Sequence, residues 1–172
     1  MATSSTVGAP LSEAKVLYFA YGSNLSPTQM ANRCPNSKPI ALAHLPGWKW
    51  LINGRGYANI VLEGSAVGPG VYGVLYDLDP ADEMRLDGFE GVPIAYEKCY
   101  LEGTRIENGN ENPPRRSEIQ VLAYVDFKRV SPSIPKNEYV DRMNRGIEEA
   151  VRDWGLPKVY VDEVMRPFIP VR

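Results

Sequence analysis

Residues 18–25 carry side chains whose types and spacing could do chemistry. They read Tyr-Phe-Ala-Tyr-Gly-Ser-Asn-Leu, an apolar strand that stops in a small polar loop ahead of a helix start. Backbone N–H groups at such a junction suit a carboxylate, a phosphate or an oxyanion that develops during a reaction. Glycine, serine and asparagine also serve plain turns through their backbone geometry. The local sequence therefore leaves anion binding and a simple turn both open.

A second candidate is Glu90, which follows Phe89 and precedes Gly91-Val92-Pro93. Apolar and turn-forming neighbours can hold a carboxyl group away from water, and this raises its pKa toward the range useful for proton transfer. Glu90 is thus a candidate general acid and base. The alternative is an exposed glutamate at a helix end, and the local sequence by itself favours that alternative.

Other catalytic chemistries lack the residues that they need. The single histidine, His44, lies in an apolar strand pattern, so neither a serine triad nor a histidine-based metal site is indicated. No Walker loop or G-x-G-x-x-G motif suggests a nucleotide. Cys34 has no histidine or helix N-terminus beside it to lower its thiol pKa. Cys34 and Cys99 have neither metal-ligand spacing nor a disulfide pattern, and we predict no cofactor and no metal.

Length and charge limit the domain count and the partners. The chain has 172 residues and a mass of 19.2 kDa, from which we predict a flexible N-terminus over residues 1–14 and a single domain over residues 15–172. A formal net charge of −2 leaves no basic excess for nucleic acid. No apolar run or signal-peptide pattern indicates a membrane, so we expect a cytoplasmic protein. The sequence leaves a homodimer open.

The elements that must position the candidate residues are short strands and helices. Strands are predicted over residues 15–21, 40–52 with a turn or bulge at Pro46-Gly47, 57–63, 71–78, 96–106 and 118–127. Short helices begin at Pro27 and Pro80, each preceded by a capping residue, and are expected to end near Arg33 and Gly88. About six strands in this order predict an α+β fold, a small mixed or antiparallel β-barrel with short flanking helices.

One longer C-terminal helix completes this fold. Apolar residues recur at helical spacing from Val140 to Trp154, and Gly155 with Pro157 supplies the stop. Its charged face offers three acid-before-base pairs at i, i+4, which we interpret as solvated pairs and not as a partner-binding site. The pairs are Glu138 with Arg142, Asp141 with Arg145, and Glu148 with Arg152.

Two motifs together resemble a known family. Residues 18–25 resemble the signature loop of the γ-glutamylcyclotransferase family, which includes the AIG2-like proteins, and Leu86-Asp87-Gly88-Phe89-Glu90-Gly91 resembles the segment with that family's catalytic glutamate. Between them, Leu45-Pro46-Gly47-Trp48 and residues 71–76 are similar to the family's strands. The resemblance covers about residues 15–127.

The resemblance implies a small β-barrel that uses no cofactor or metal and acts on a small γ-glutamyl molecule. It implies that Glu90 is the acid and base and that Tyr139 is equivalent to a tyrosine that closes the pocket. In the implied reaction the α-amine attacks its own γ-carbonyl and releases 5-oxoproline and the attached amine. The implied substrate-binding residues are Tyr18, Phe19, Ala20, Tyr21, Gly22, Ser23, Asn24 and Tyr139.

Substrate choice stays open at this point. The form Tyr-Gly-Ser-Asn resembles the branches for γ-glutamyl amino acids and γ-glutamylamines, whereas the glutathione-specific ChaC-like branch ends this motif differently. The hairpin at residues 53–59 has no assigned counterpart and is a candidate for setting substrate choice. Three alternatives remain. They are a same-fold enzyme that acts on a γ-glutamyl or glutathione-derived intermediate of secondary metabolism or catalyses another ring-forming or isomerising reaction, a binding protein without turnover, and a plain interaction domain.

Overall fold

In the computed structural model, which describes residues 16–65, 67–107 and 111–172, five strands close into a mixed barrel and two form a separate hairpin. The strands are β1 (Val16–Ala20), β2 (Lys38–Leu45), β3 (Trp48–Ile52), β4 (Ala58–Leu62), β5 (Val71–Leu78), β6 (Glu97–Ile106) and β7 (Arg116–Val125). The barrel order is β1-β5-β2-β6-β7, and β1 closes it by pairing in parallel with β7. The predicted α+β barrel is confirmed. The predicted flexible segment 1–14 lies outside the described residues.

The prediction of about six strands is wrong at Pro46-Gly47. Gly47 has φ +79°, a value that residues with a Cβ rarely adopt, and the chain makes a sharp turn there. As a result, β2 stays in the barrel between β5 and β6, whereas β3 leaves it and pairs only with β4. The segment predicted as one interrupted strand is therefore two strands in different sheets.

The predicted helices form with their predicted caps. They are α1 (Pro27–Arg33), α2 (Pro80–Phe89) and α3 (Asn137–Trp154). The Ser26 hydroxyl oxygen accepts a hydrogen bond from the Gln29 backbone N–H at 3.1 Å, and α2 continues one residue past Gly88. Gly155 ends α3 in the left-handed conformation. Beyond it the chain adds α4 (Lys158–Tyr160) and a π-helical turn (Val161–Met165), which the sequence did not predict.

Helix α3 packs on a 3₁₀ turn (Ser23–Leu25) that follows β1. Gly146 permits the close approach, since a Cβ there would lie 3.2 Å from Leu25 Cβ and 3.3 Å from the Ser23 carbonyl oxygen. Positions i−4 and i−7 lie on the same face of a helix as position i. Packing at Gly146 thus also directs Arg142 and Tyr139 toward the 3₁₀ turn.

The core is continuous from the barrel to α3. Phe19, Leu75, Trp50 and Met143 are among its fully buried side chains. In the part of the chain that the structure describes, no helix has the length and apolar character needed to cross a bilayer.

We expect Gly73→Ala to destabilise the barrel. A Cβ at Gly73 in β5 would lie 2.6 Å from both the Ala20 carbonyl oxygen and the Phe19 ring. Relief of such overlap in a packed core costs about 1–3 kcal/mol in the free energy of unfolding, measurable by urea denaturation. Gly88→Ala is the matched control. It meets nothing within 4 Å and should gain about 0.5 kcal/mol, because alanine favours helix more than glycine does. Equal effects of the two substitutions would contradict the packing argument.

Candidate active site

The two sequence motifs meet in one cavity of about 210 Å³. Pockets for drug-sized ligands measure about 300–1,000 Å³, so this cavity suits a smaller molecule. The predicted residues that line it are Tyr18, Tyr21, Gly22, Ser23, Asn24, Glu90 and Tyr139. Lining residues that the sequence analysis missed include Arg33, Arg55, Tyr57, Tyr96, Tyr124 and Arg142.

Phe19 and Ala20 are not among the residues that line the cavity, although both were predicted to bind substrate. Side chains alternate between the two faces of a strand, so Phe19 lies on the opposite face of β1 from Tyr18, which lines the cavity. Phe19 is fully buried and packs over Gly73, while the Ala20 carbonyl faces the same glycine. Their contribution is to the core behind the site.

Hydrogen bonds from side chains fix the 3₁₀ turn. The Asn24 side-chain amide donates to the Tyr18 hydroxyl at 3.1 Å. The Asn24 backbone carbonyl oxygen accepts from the Tyr76 hydroxyl at 2.8 Å. The Gln29 amide donates to the side chains of Ser23 and Asn24, each at 2.8 Å. Gln29 takes the N3 position of α1, where a glutamine can bond back to the N-cap backbone, but its side chain is directed to the 3₁₀ turn, which is therefore rigid before any ligand arrives.

Gly22 is needed for close approach, because its neighbours leave no room for a Cβ. Its φ is −111°, so a positive φ is not the reason for a glycine at this position. A Cβ there would lie 2.7 Å from the Tyr139 hydroxyl oxygen and 3.1 Å from Ala58 Cβ. The same hydroxyl oxygen accepts a hydrogen bond from the Ser23 N–H at 3.2 Å. Tyr139 thus lies directly on the turn.

Glu90 is the residue that ends α2, and its backbone N–H donates to the Leu86 carbonyl at 2.9 Å. Gly91 follows with φ +64° and turns the chain sharply away. The Glu90 side chain lines the cavity and is only partly accessible. Desolvation raises the pKa of the Glu90 carboxyl to about 7, against the opposing effect of Arg33, Arg142 and Arg55.

Three of the lining tyrosines remain neutral near pH 7. Burial raises the pKa of the Tyr139 hydroxyl to about 12 and that of Tyr18 and Tyr21 well above the usual value. The tyrosines are therefore hydrogen-bonding groups and not bases. Glu90 can exchange a proton near neutrality among them, as a general acid and base requires.

The interpretation of Arg142 as half of a solvated ion pair on the charged face of α3 is wrong. Arg142 pairs with Glu138 at 3.3 Å as predicted, but its side chain is only 28% exposed. Its guanidinium also donates to the Ser23 hydroxyl and to the Gln29 amide oxygen, each at 3.1 Å. It is thus part of the cavity wall and not a solvated pair. Its helical spacing from Tyr139 was the signal that could have revealed it.

The predicted pair of Asp141 with Arg145 does not form as expected. Asp141 lies 3.2 Å from the Arg172 guanidinium instead. Glu148 does approach Arg152, at 3.9 Å.

The alternative catalytic residues lie elsewhere. His44 contacts the Pro69 carbonyl at 2.8 Å and stacks on Tyr72, away from the residues that line the cavity. Burial raises the pKa of the Cys34 thiol to about 11, which opposes a nucleophilic role. Among the described residues, no group of three or more histidine, cysteine or acidic side chains could hold a metal ion.

We expect Glu90→Gln to stabilise the fold more at pH 8 than at pH 5. The raised pKa means that the folded state holds this proton after the unfolded state has lost it. Stability therefore falls as pH rises from about 4.5 to about 7. Glutamine removes this loss, so the gain at pH 8 should be on the order of 1–3 kcal/mol in thermal or urea unfolding. Glu97→Gln, on β6, controls for the loss of one negative charge. A gain that is the same at both pH values would contradict the burial of the carboxyl.

We expect Gly22→Ala to cost about 1–3 kcal/mol of stability, because its Cβ overlaps the Tyr139 hydroxyl. In a Tyr139→Phe background that oxygen is gone and the cost should be smaller. The four proteins of this double-mutant cycle can be compared by urea denaturation. Strictly additive effects would show that the turn and the tyrosine are not in contact.

Comparisons with known proteins agree with this architecture. A sequence model of the family described as gamma-glutamyl cyclotransferase, AIG2-like, matches residues 18–141. A solved gamma-glutamyl cyclotransferase has a TM-score of 0.69 at 24% identity, with 88% of this chain and 87% of that chain covered. An uncharacterized protein from Homo sapiens has a TM-score of 0.67 at 24% identity, with 89% and 88% covered.

A more distant structure is a gamma-glutamyl cyclotransferase specific to glutathione from yeast, with a TM-score of 0.52 at 12% identity and 89% and 95% covered. These structural likenesses show a shared fold. A comparison with curated protein sequences gave no match. The family match spans well over half of the chain and includes both the loop and the Glu90 segment. The chain belongs to the gamma-glutamyl cyclotransferase, AIG2-like family.

Proposed function

We propose that the protein is a γ-glutamylcyclotransferase, which releases 5-oxoproline and a free amine or amino acid from a γ-glutamyl compound. The observation that carries the proposal is Glu90, a carboxyl group with a pKa of about 7 in the same cavity as the 3₁₀ turn. The family membership supports the same reaction class. The reaction needs no group beyond the chain and its substrate.

Glu90 manages the protons of the reaction. As a carboxylate it takes a proton from the α-ammonium of the substrate, and the freed amine attacks the γ-carbonyl carbon. A five-membered ring forms, and the bond from that carbon to the departing nitrogen breaks. Glu90 returns this proton to the departing nitrogen, takes the second proton that the ring nitrogen loses, and passes it to the released amine, which leaves as its ammonium, so that Glu90 begins and ends the cycle as a carboxylate. A pKa of about 7 suits these transfers.

The 3₁₀ turn and Tyr139 orient the substrate. The Ser23 N–H points at the Tyr139 hydroxyl oxygen, which leaves the proton of that hydroxyl able to reach a substrate carboxylate or oxyanion. The backbone N–H groups of Gly22 and Asn24 serve the same group. Because nucleophile and electrophile belong to one molecule, holding it in a folded conformer supplies much of the rate.

The proposed binding roles follow the geometry of the cavity. Tyr18, Tyr21 and Asn24 shape the wall around the glutamyl group, and Arg142 holds the Ser23 hydroxyl in place. The Tyr124 hydroxyl donates to Asp87 at 2.7 Å, and Asp87 in turn accepts from Lys98 at 3.2 Å. This chain of contacts fixes Tyr124 beside the cavity without placing a second free carboxylate in it.

We expect Glu90→Gln to lower kcat at least about a hundredfold in release of 5-oxoproline from a panel of γ-glutamyl compounds. The amide keeps the shape and removes the proton acceptor. In the parent protein, kcat/KM should fall as pH drops below about 7, since protonated Glu90 cannot accept a proton. Glu97→Gln, which does not line the cavity, should stay within about threefold of the parent.

Two outcomes would refute this assignment. Full turnover by Glu90→Gln would move the acid and base role to another residue, and Asp87→Asn would be the next variant to assay. Binding of γ-glutamyl compounds without any 5-oxoproline would favour a binding protein over an enzyme.

A further inference from the structure

The cavity carries more positive charge than a γ-glutamyl group requires. Three guanidinium groups line it, those of Arg33, Arg55 and Arg142, and Glu90 is the one carboxylate among the described lining residues. A γ-glutamyl group brings one carboxylate and one ammonium, which leaves the excess unbalanced. A substrate with a further anionic group would balance it.

The three arginines are not equivalent. Arg142 is held by Ser23, Gln29 and Glu138 and supports the 3₁₀ turn. Arg33 stacks on the Phe89 ring at 4.8 Å, next to Glu90, and lowers the pKa of that carboxyl more than the other two do. Arg55 lines the cavity from the turn between β3 and β4, and not from α2 or α3, the helices that carry Glu90 and Tyr139. It is the arginine suited to the part of a substrate beyond the reacting carbonyl.

Arg55 comes from the turn between β3 and β4, and buried polar groups fix that turn. Its backbone N–H donates to the Asn53 side-chain oxygen at 3.0 Å, and the Asn53 amide donates to the Asp126 carboxylate at 3.0 Å. Asn59 exchanges two hydrogen bonds with the Asp126 backbone, at 2.8 and 2.9 Å. Asn53, Asn59 and Asp126 are all buried. The hairpin at residues 53–59 therefore presents Arg55 from a rigid backbone.

The guanidinium itself has no acidic partner. Among the described residues, no carboxylate forms an ion pair with Arg55. Its charge lies 5.4 Å from the centre of the Tyr57 ring, and the Lys136 ammonium lies 5.3 Å from the same centre. The Tyr57 hydroxyl donates to Glu138 at 3.3 Å, but Glu138 pairs with Arg142. A half-buried guanidinium that lines the cavity and has no carboxylate partner is a site for an anion.

We propose that Arg55 binds a carboxylate on the amine that leaves, so that the preferred substrates are γ-glutamyl amino acids or peptides and not γ-glutamyl derivatives of neutral or cationic amines. The inference rests on the proposed function and adds to it the chemical class of the released group. It gives the hairpin at residues 53–59 a role in substrate choice.

The test compares two compounds that differ in one charge, γ-glutamylalanine and γ-glutamylalaninamide. The parent should prefer the acid by about tenfold or more in kcat/KM, since a charge-assisted contact is lost with the amide. Arg55→Gln should remove most of this preference by slowing turnover of the acid much more than turnover of the amide. Arg55→Glu should favour γ-glutamylethylenediamine, whose leaving amine is cationic. Arg145→Gln, on the exposed face of α3, is the control for loss of one positive charge.

Each of the remaining outcomes would contradict one specific statement. Equal kcat/KM for acid and amide in the parent would overturn the inference and leave the proposed function standing. Loss of the preference with Arg33→Gln and not with Arg55→Gln would overturn the assignment to Arg55. Absence of 5-oxoproline from all three compounds would overturn the proposed function. Ligand-dependent melting with acid and amide would then still decide whether the cavity selects a second carboxylate.

Discussion

The site depends on the contact between α3 and the 3₁₀ turn. Two glycines make it possible, Gly146 on the helix and Gly22 before the turn, because each leaves room that a Cβ would fill. Through this contact Tyr139 reaches the Ser23 N–H, and Arg142 reaches the Ser23 hydroxyl. Helix α3, which lies more than a hundred residues after β1 in the sequence, thereby forms one wall of the cavity beside the end of β1.

A balance of two opposing effects sets the proton affinity of Glu90. Removal from water disfavours the carboxylate, while the surrounding guanidinium groups favour it, and desolvation is the larger effect. Either effect alone would make the residue unsuitable for proton transfer near neutral pH. A carboxyl group that is always protonated cannot accept a proton, and a strongly stabilised carboxylate is a weak base. The arginines that line the cavity therefore keep the pKa of the Glu90 carboxyl near neutral pH.

Much of this arrangement could be predicted from local sequence. Prolines and capping residues defined where α1 and α2 begin, and apolar periodicity defined α3. The turn residues at 22–25 and the apolar flank of Glu90 suggested two candidate parts of a site, although the local sequence left a simple turn open for the first and favoured an exposed glutamate for the second. The family resemblance joined them. Local patterns could not predict the tertiary contacts. The hairpin at residues 53–59 was a candidate for setting substrate choice, but the sequence did not single out Arg55, and nothing around Tyr96 indicates a cavity. Phe19 was included because a continuous motif does not reveal which strand face each residue takes.

Because β3 leaves the barrel, the hairpin that it forms with β4 at the rim of the cavity is separate from the barrel. Barrel strands pair with one another in a closed ring, whereas β3 and β4 form their own two-stranded sheet. Asn53, Asn59 and Asp126 anchor that sheet by polar contacts close to β7, so residues at its tip are not part of the barrel core. Changes at the tip can alter the rim of the cavity at little cost to the fold. Proteins that share this barrel can therefore diverge in chemical preference by evolving a single hairpin.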